Sequence, residues 1–232
     1  MNTPYYYETE AIAAEQKQAA FMSKVYGWMF LALIVTGLVA HFTASSELAL
    51  QLIYGNKLAF WVLILAQLGL VVGIGRLLHK ISYPVAISLF MLYSALTGLT
   101  FGGLFLVYSQ QTIGITFLCT AGLFGSMAAI GYFTRRDLTS LGSLLLVGLI
   151  GVVIASLVNL FLNSDTLTWI ITYVGLAIFL GLTAYDNQKL KHMALALDEQ
   201  SARNGSIFGA LTLYLDFVNI FLFLLRILGG RK

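Results

Sequence analysis

From Pro84 to Thr134 the chain carries no charged residue at all. Crossing a bilayer as a helix takes about 20 mainly apolar residues. This stretch is long enough to cross twice, with the polar break YSQQT at 108–112 between its two runs. Similar runs recur along the chain, and seven spans are expected: 26–43, 58–78, 84–107, 112–133, 141–162, 168–186 and 207–228. The other breaks read ASSE, HKISYP, TRRDLTS, NSDT and DNQKLKHMALALDEQSARNG. Barrel strands would alternate apolar and polar residues at every second position, whereas these runs are continuous. The predicted fold class is an all-α integral membrane protein, with seven transmembrane helices in residues 26–232 behind a polar segment, 1–25.

Composition narrows the function. The chain is 59% hydrophobic and only 10% charged, with a mean hydropathy of +0.88, whereas a soluble domain carries about a quarter charged residues. Its net charge of +3 comes from residues at segment ends. No basic stripe is present, which argues against nucleic acid as a partner. The single cysteine, Cys119, excludes an intramolecular disulfide and makes a thiolate metal site improbable. His41, His79 and His192 lie at span ends, too scattered for a metal centre.

Glu8, Glu10 and Glu15 precede Lys17 and Lys24 in the first 25 residues. That is too long and too acidic for a secretory leader, so the first apolar run is expected to stay as a span. The triple tyrosine Tyr5–Tyr7 reads as a mobile tail or, alternatively, an interfacial anchor. An odd number of spans puts the termini on opposite sides. Lys17, Lys24, Arg76, Lys80, Arg135, Arg136, Lys189, Lys191 and Arg203 fall on the N-terminal side, against Lys57, Arg226, Arg231 and Lys232 on the other. The positive-inside bias then predicts a cytosolic N-terminus and a C-terminus on the opposite side. Gly98, Gly102, Gly103, Gly122, Gly125, Gly142, Gly148 and Gly151 read as points of close helix approach.

Two carboxylates inside the spans are not explained by packing alone. If Arg226 reaches the outer boundary, Asp216 sits about 15 Å inside it, near the midplane. If Trp169 marks the outer interface, Asp186 is about 25 Å across a core of roughly 30 Å, close to its cytosolic edge. Their contexts are alike, LTAYD at 182–186 and LTLYLD at 211–216. Thr183 is three before Asp186 and Thr212 four before Asp216, offsets that place each hydroxyl on its carboxylate's face, and Asn219 adds another polar group there. Gln67 is the remaining mid-span polar side chain of the second span, and Arg76 lies near that span's cytosolic end. Burial disfavours an isolated carboxylate ion, and two carboxylates brought together share a proton and titrate as a unit. Such a pair suits a proton relay or a cation path. The competing reading is an interhelical polar contact that only fixes packing.

An aspartyl intramembrane protease would also use two such aspartates. AYD at 184–186 fits half of that signature, but the second half should read GxGD and here reads LYLD. The seventh span holds no lysine for a retinal, and no catalytic triad, phosphate-binding loop or zinc spacing occurs. The chain is therefore not expected to be an enzyme or to hold a cofactor.

The stretches MLYSALTGLTFGGLFLVY (91–108), FGSMAAIGYFTRRDLTSLG (124–142), FLGLTAYDNQKLK (179–191) and ALTLYLDFVNIFLFLLRILG (210–229) resemble the Bax inhibitor-1 family, most of all its bacterial inner-membrane members. The resemblance runs from about residue 20 to the C-terminus. It implies a seven-helix bundle with the last helix central, and a pH-sensitive calcium leak gated by paired aspartates at Asp186 and Asp216. Calcium, a hard cation that wants oxygen ligands, would meet those carboxylates only in transit. In some relatives acidic and basic residues of the second span interact with the pair; here Gln67 stands in place of an acid, and latching by Arg76 is left open. Other bacterial relatives look like regulators of a membrane-bound quality-control protease, and the segment 1–25 would be the cytosolic handle for that role. The expected partners are therefore the lipid bilayer, calcium and, in the second reading, such a protease.

Overall fold

The computed structural model describes residues 4–77 and 80–229. His79, the side chains of Tyr5–Tyr7, and the Arg231–Lys232 pair lie outside the described residues. The described residues form helices without strands: α1 (Pro4–Ala44), α2 (Glu47–Tyr54), α3 (Lys57–Leu77), α4 (Tyr83–Phe101), α5 (Leu104–Val107), α6 (Gln110–Phe133), α7 (Thr139–Leu162), α8 (Asp165–Ala196) and α9 (Glu199–Leu228). Seven segments are long and apolar enough to cross a membrane, with α4 and α5 together making the third. The chain is an all-α protein of the expected class. Its internal contacts divide it into two units, Met1–Leu106 with Leu190–Thr212, and Val107–Lys189 with Leu213–Lys232.

In the first unit α1 and α3 each pack on α4, and α2 touches both α1 and α3. α1 begins well before the apolar run at 26. Gln18, Phe21, Met22, Val25 and Met29 are all buried, and their spacing of three and four residues is one face of a helix. That stripe carries the helix back through the polar segment, whose Glu10, Glu15, Lys17 and Lys24 stay exposed. The Lys17 ammonium donates to the carbonyls of Leu195 at 3.1 Å and Leu197 at 2.8 Å, satisfying orphan acceptors at the end of α8. Asp198 then starts α9, accepting from the Ser201 N–H at 3.0 Å. Hydrogen bonds from Ser201 hold its carboxyl below the usual range.

The third span is broken where the sequence shows continuous apolar chain. α4 ends at Phe101, and α5 restarts at Leu104. The Tyr54 hydroxyl fills the break: it accepts the Gly103 N–H at 2.7 Å and lies 2.9 and 2.8 Å from the carbonyls of Leu99 and Thr100. A Cβ at Gly103 would stand 2.7 Å from the Tyr54 ring, so a larger residue here would push that ring off its hydrogen bonds. Higher in the contact of α1 with α4, the Thr36 hydroxyl reaches the Ser94 carbonyl at 2.9 Å.

In the second unit α6 buries Thr116, Thr120, Phe124, Ala128 and Gly131, again at helical spacing. Gly131 lies against the backbone of Ala184, and Gly142 of α7 against the ring of Tyr185. α9 is the most buried of the seven spans. α7 is the opposite case: of its residues only Gly142 and Val152 are buried. It ends on Asn163 in the left-handed region, φ 49°, the one non-glycine positive φ among the described residues. Of the glycines read as close-approach points, Gly122, Gly125 and Gly151 face open space instead.

Candidate intramembrane aspartate site

Asp186 and Asp216 both belong to the second unit. Asp186 is carried by α8 directly after two close contacts made at glycines, Ala184 on Gly131 and Tyr185 on Gly142. Two residues further on, Gln188 accepts the Leu138 N–H at 2.8 Å and donates to the Arg136 carbonyl at 2.7 Å. The loop between α6 and α7 thereby fixes the rotation of α8. Asp216 on α9 is 4% exposed. Beside it, Phe217 packs its ring against Phe117 and Phe124 of α6, with centroids 5.3 and 5.6 Å apart.

The two carboxylates lie within electrostatic reach of each other, Asp186 being the charged group that Asp216 feels. The offset of about 10 Å between the depths read from sequence does not isolate them. Lys189 is the cation within reach of Asp186, its ammonium 5.7 Å from the Tyr185 ring centre. Asp216 Oδ2 is buried with no hydrogen-bond partner, and so is the hydroxyl of Thr116. An unpartnered carboxylate oxygen in apolar surroundings is costly and marks a place where a proton, a water or an ion is accommodated.

The supporting groups are arranged differently. Thr183 donates to the Phe179 carbonyl at 2.7 Å, Thr212 to Phe208 at 3.0 Å and the Asn219 amide to Leu215 at 2.8 Å. Each returns its proton to its own helix, four residues back, as hydroxyl and amide side chains do where no water competes. Gln67 and Arg76 belong to the first unit. Gln67 donates to the Thr100 hydroxyl at 2.7 Å and accepts from Thr97 at 3.3 Å, closing α3 on α4. Arg76 is exposed in the last turn of α3.

Residues that sequence reasoning passed over include Gln188, Asn187, Phe217 and Thr116. Asn187 is fully buried and donates to the Thr183 carbonyl at 2.6 Å. Read from composition, DNQK is a polar span edge; its buried members show only when the helix is continued through it. The site holds two carboxylates, and no group of three or more His, Cys, Asp or Glu side chains that could hold a metal occurs among the described residues. Calcium takes about 6–8 oxygen ligands in a resident site, more than two carboxylates supply.

A family profile described as "Inhibitor of apoptosis-promoting Bax1" matches residues 18–232. The chain belongs to the Bax inhibitor-1 family. The match begins at Gln18, the first buried residue of α1 among those whose burial is described. The chain is 49% identical over 215 residues to the inner membrane protein YbhL of Escherichia coli, covering 91% of this chain and 92% of that one. A protein of Borreliella burgdorferi is 44% identical over 214 residues, with 91% and 92% of the two chains covered. One from Rickettsia prowazekii is 41% identical over 213 residues, with 91% and 90% covered. The Bax inhibitor-1 match thus contains both aspartates, six spans whole and the first from Gln18 onward.

Proposed function

We propose that this Bax inhibitor-1 protein is a pH-sensitive calcium leak in a bacterial inner membrane, gated by Asp186 and Asp216. The observation that carries the reading is the buried, unpartnered Oδ2 of Asp216, with Asp186 as the charge it feels. With one proton between them, the carboxylates attract and hold α8 and α9 together. With none, like charges repel, and the freed oxygens suit a hard cation. Acid therefore closes the path and alkali opens it. No cofactor or covalent step is involved, and the protein is not an enzyme in this reading.

The test is calcium efflux from proteoliposomes across about pH 5 to 9, a range that spans neutral pH above the ordinary carboxylate value. Wild type should leak more as pH rises, and Asp186→Asn with Asp216→Asn should leak independently of pH. Absence of flux at every pH from folded wild-type protein would sink the leak. The second reading, a regulator of a membrane-bound protease, draws support from the exposed Glu10, Glu15 and Lys24 on the outer face of α1. Reversing Glu10 and Glu15 to lysine should leave a leak intact and abolish a regulator's effect.

A further inference from the structure

A separate polar cavity of about 450 Å³ lies in the second unit, where α7 ends, α8 begins and α9 nears its end. Its walls include Asn159, Asp165, Thr168 and Arg226, with Leu160 and Ile171 as apolar lining. A chain of hydrogen bonds organises it. The Asn159 amide donates to the Thr168 hydroxyl at 2.8 Å, Thr172 donates to the Thr168 carbonyl at 2.7 Å, and Arg226 donates to the Thr172 hydroxyl at 3.3 Å. Thr172 is fully buried, so the guanidinium is held at a fixed point while its arginine remains exposed.

A guanidinium has five N–H donors in a rigid fork matched to phosphate oxygens, and this one commits a single donor to Thr172. Asp165 lines the same cavity, yet no ion pair joins it to Arg226 among the described residues. The cavity thus offers one cation and one anion, held apart. Trp169 and Tyr173, on α8 just beyond it, stack with ring centres 5.7 Å apart and are 44% and 55% exposed. Exposed aromatics at a span end are the signature of the membrane–water interface.

We propose that this cavity binds a phosphate ester carrying a primary ammonium, the headgroup chemistry of an aminophospholipid. Arg226 takes the phosphate and Asp165 the ammonium. Leu160 and Ile171 meet the first carbons beyond the ester.

The test uses the full chain in detergent. Binding is measured by thermal shift for short-chain phosphatidylethanolamine, phosphatidylcholine and phosphatidylglycerol of equal chain length. Wild type should prefer phosphatidylethanolamine by about tenfold in Kd, the difference a single good ionic contact makes. Asp165→Asn should erase that preference while retaining phosphatidylglycerol, and Arg226→Gln should weaken all three lipids. Soluble phosphoethanolamine separates the sources: displacement of the lipid at similar concentration indicates a free ester as ligand, and no displacement indicates the lipid. Equal binding of the three lipids by wild type would overturn the proposal even if both variants failed to fold, as would a preference that survives Asp165→Asn. Neither result bears on calcium flux.

Discussion

The hydroxyl of Tyr54 replaces backbone hydrogen bonds that α4 loses at its broken end, touching Leu99, Thr100 and Gly103 at once. Burial pushes this phenol above its ordinary value of 10.0, against the opposing pull of the Gly103 N–H. A raised value keeps the proton on in the folded state. The stabilisation is therefore complete at neutral pH and fades only as pH climbs above the ordinary phenol value. Tyr54→Phe leaves the ring in place and removes the hydroxyl, stranding the Gly103 donor. A loss of about 1–3 kcal/mol is expected, read as a lower unfolding midpoint in detergent with unchanged helix content. Asp216 is the opposite case at the same scale: a buried polar oxygen that no partner satisfies. Where the Tyr54 hydroxyl has three backbone partners, the Oδ2 of Asp216 has none.

Between elements, contact depends on the absence of side chains. Gly131 of α6 meets the backbone of Ala184, two residues before Asp186. Gly131→Ala should force α6 and α8 apart at a cost of about 1–3 kcal/mol, and should displace the pH midpoint of calcium flux as well as lowering the unfolding midpoint. Unchanged flux with a lowered midpoint would separate packing from gating. The spans were legible because hydropathy summed over a whole membrane thickness outweighs any single residue. The break at Gly102 was not, since it changes no polarity and its stabilising hydroxyl comes from α2. The early start of α1 was written in Phe21, Met22 and Val25, but the charges around them drew the boundary to 26. The aspartates stood out because ionisable groups are rare in such runs. Their mutual reach depends on how α8 and α9 are offset, which no local pattern encodes.

For the molecule as a whole, the polar segment before the first span is structural. Gln18 is 8% exposed, and Lys17 clasps the end of α8. Deleting residues 1–20 should therefore lower the unfolding midpoint, and Lys17→Met should reproduce part of that loss; equal midpoints for all three proteins would refute the clasp. A change in flux or partner binding after such a truncation would consequently say nothing about a detachable handle. α7 has a different relation to the whole. Phe161 is 88% exposed, Leu144 68% and Val147 67%, so the residues of this helix answer to acyl chains more than to other side chains. Away from Gly142 and Val152 its exposed positions are free to drift among apolar types without disturbing the fold, and a fluorophore placed at one of them would report bilayer depth and thickness from within a protein that scarcely notices it.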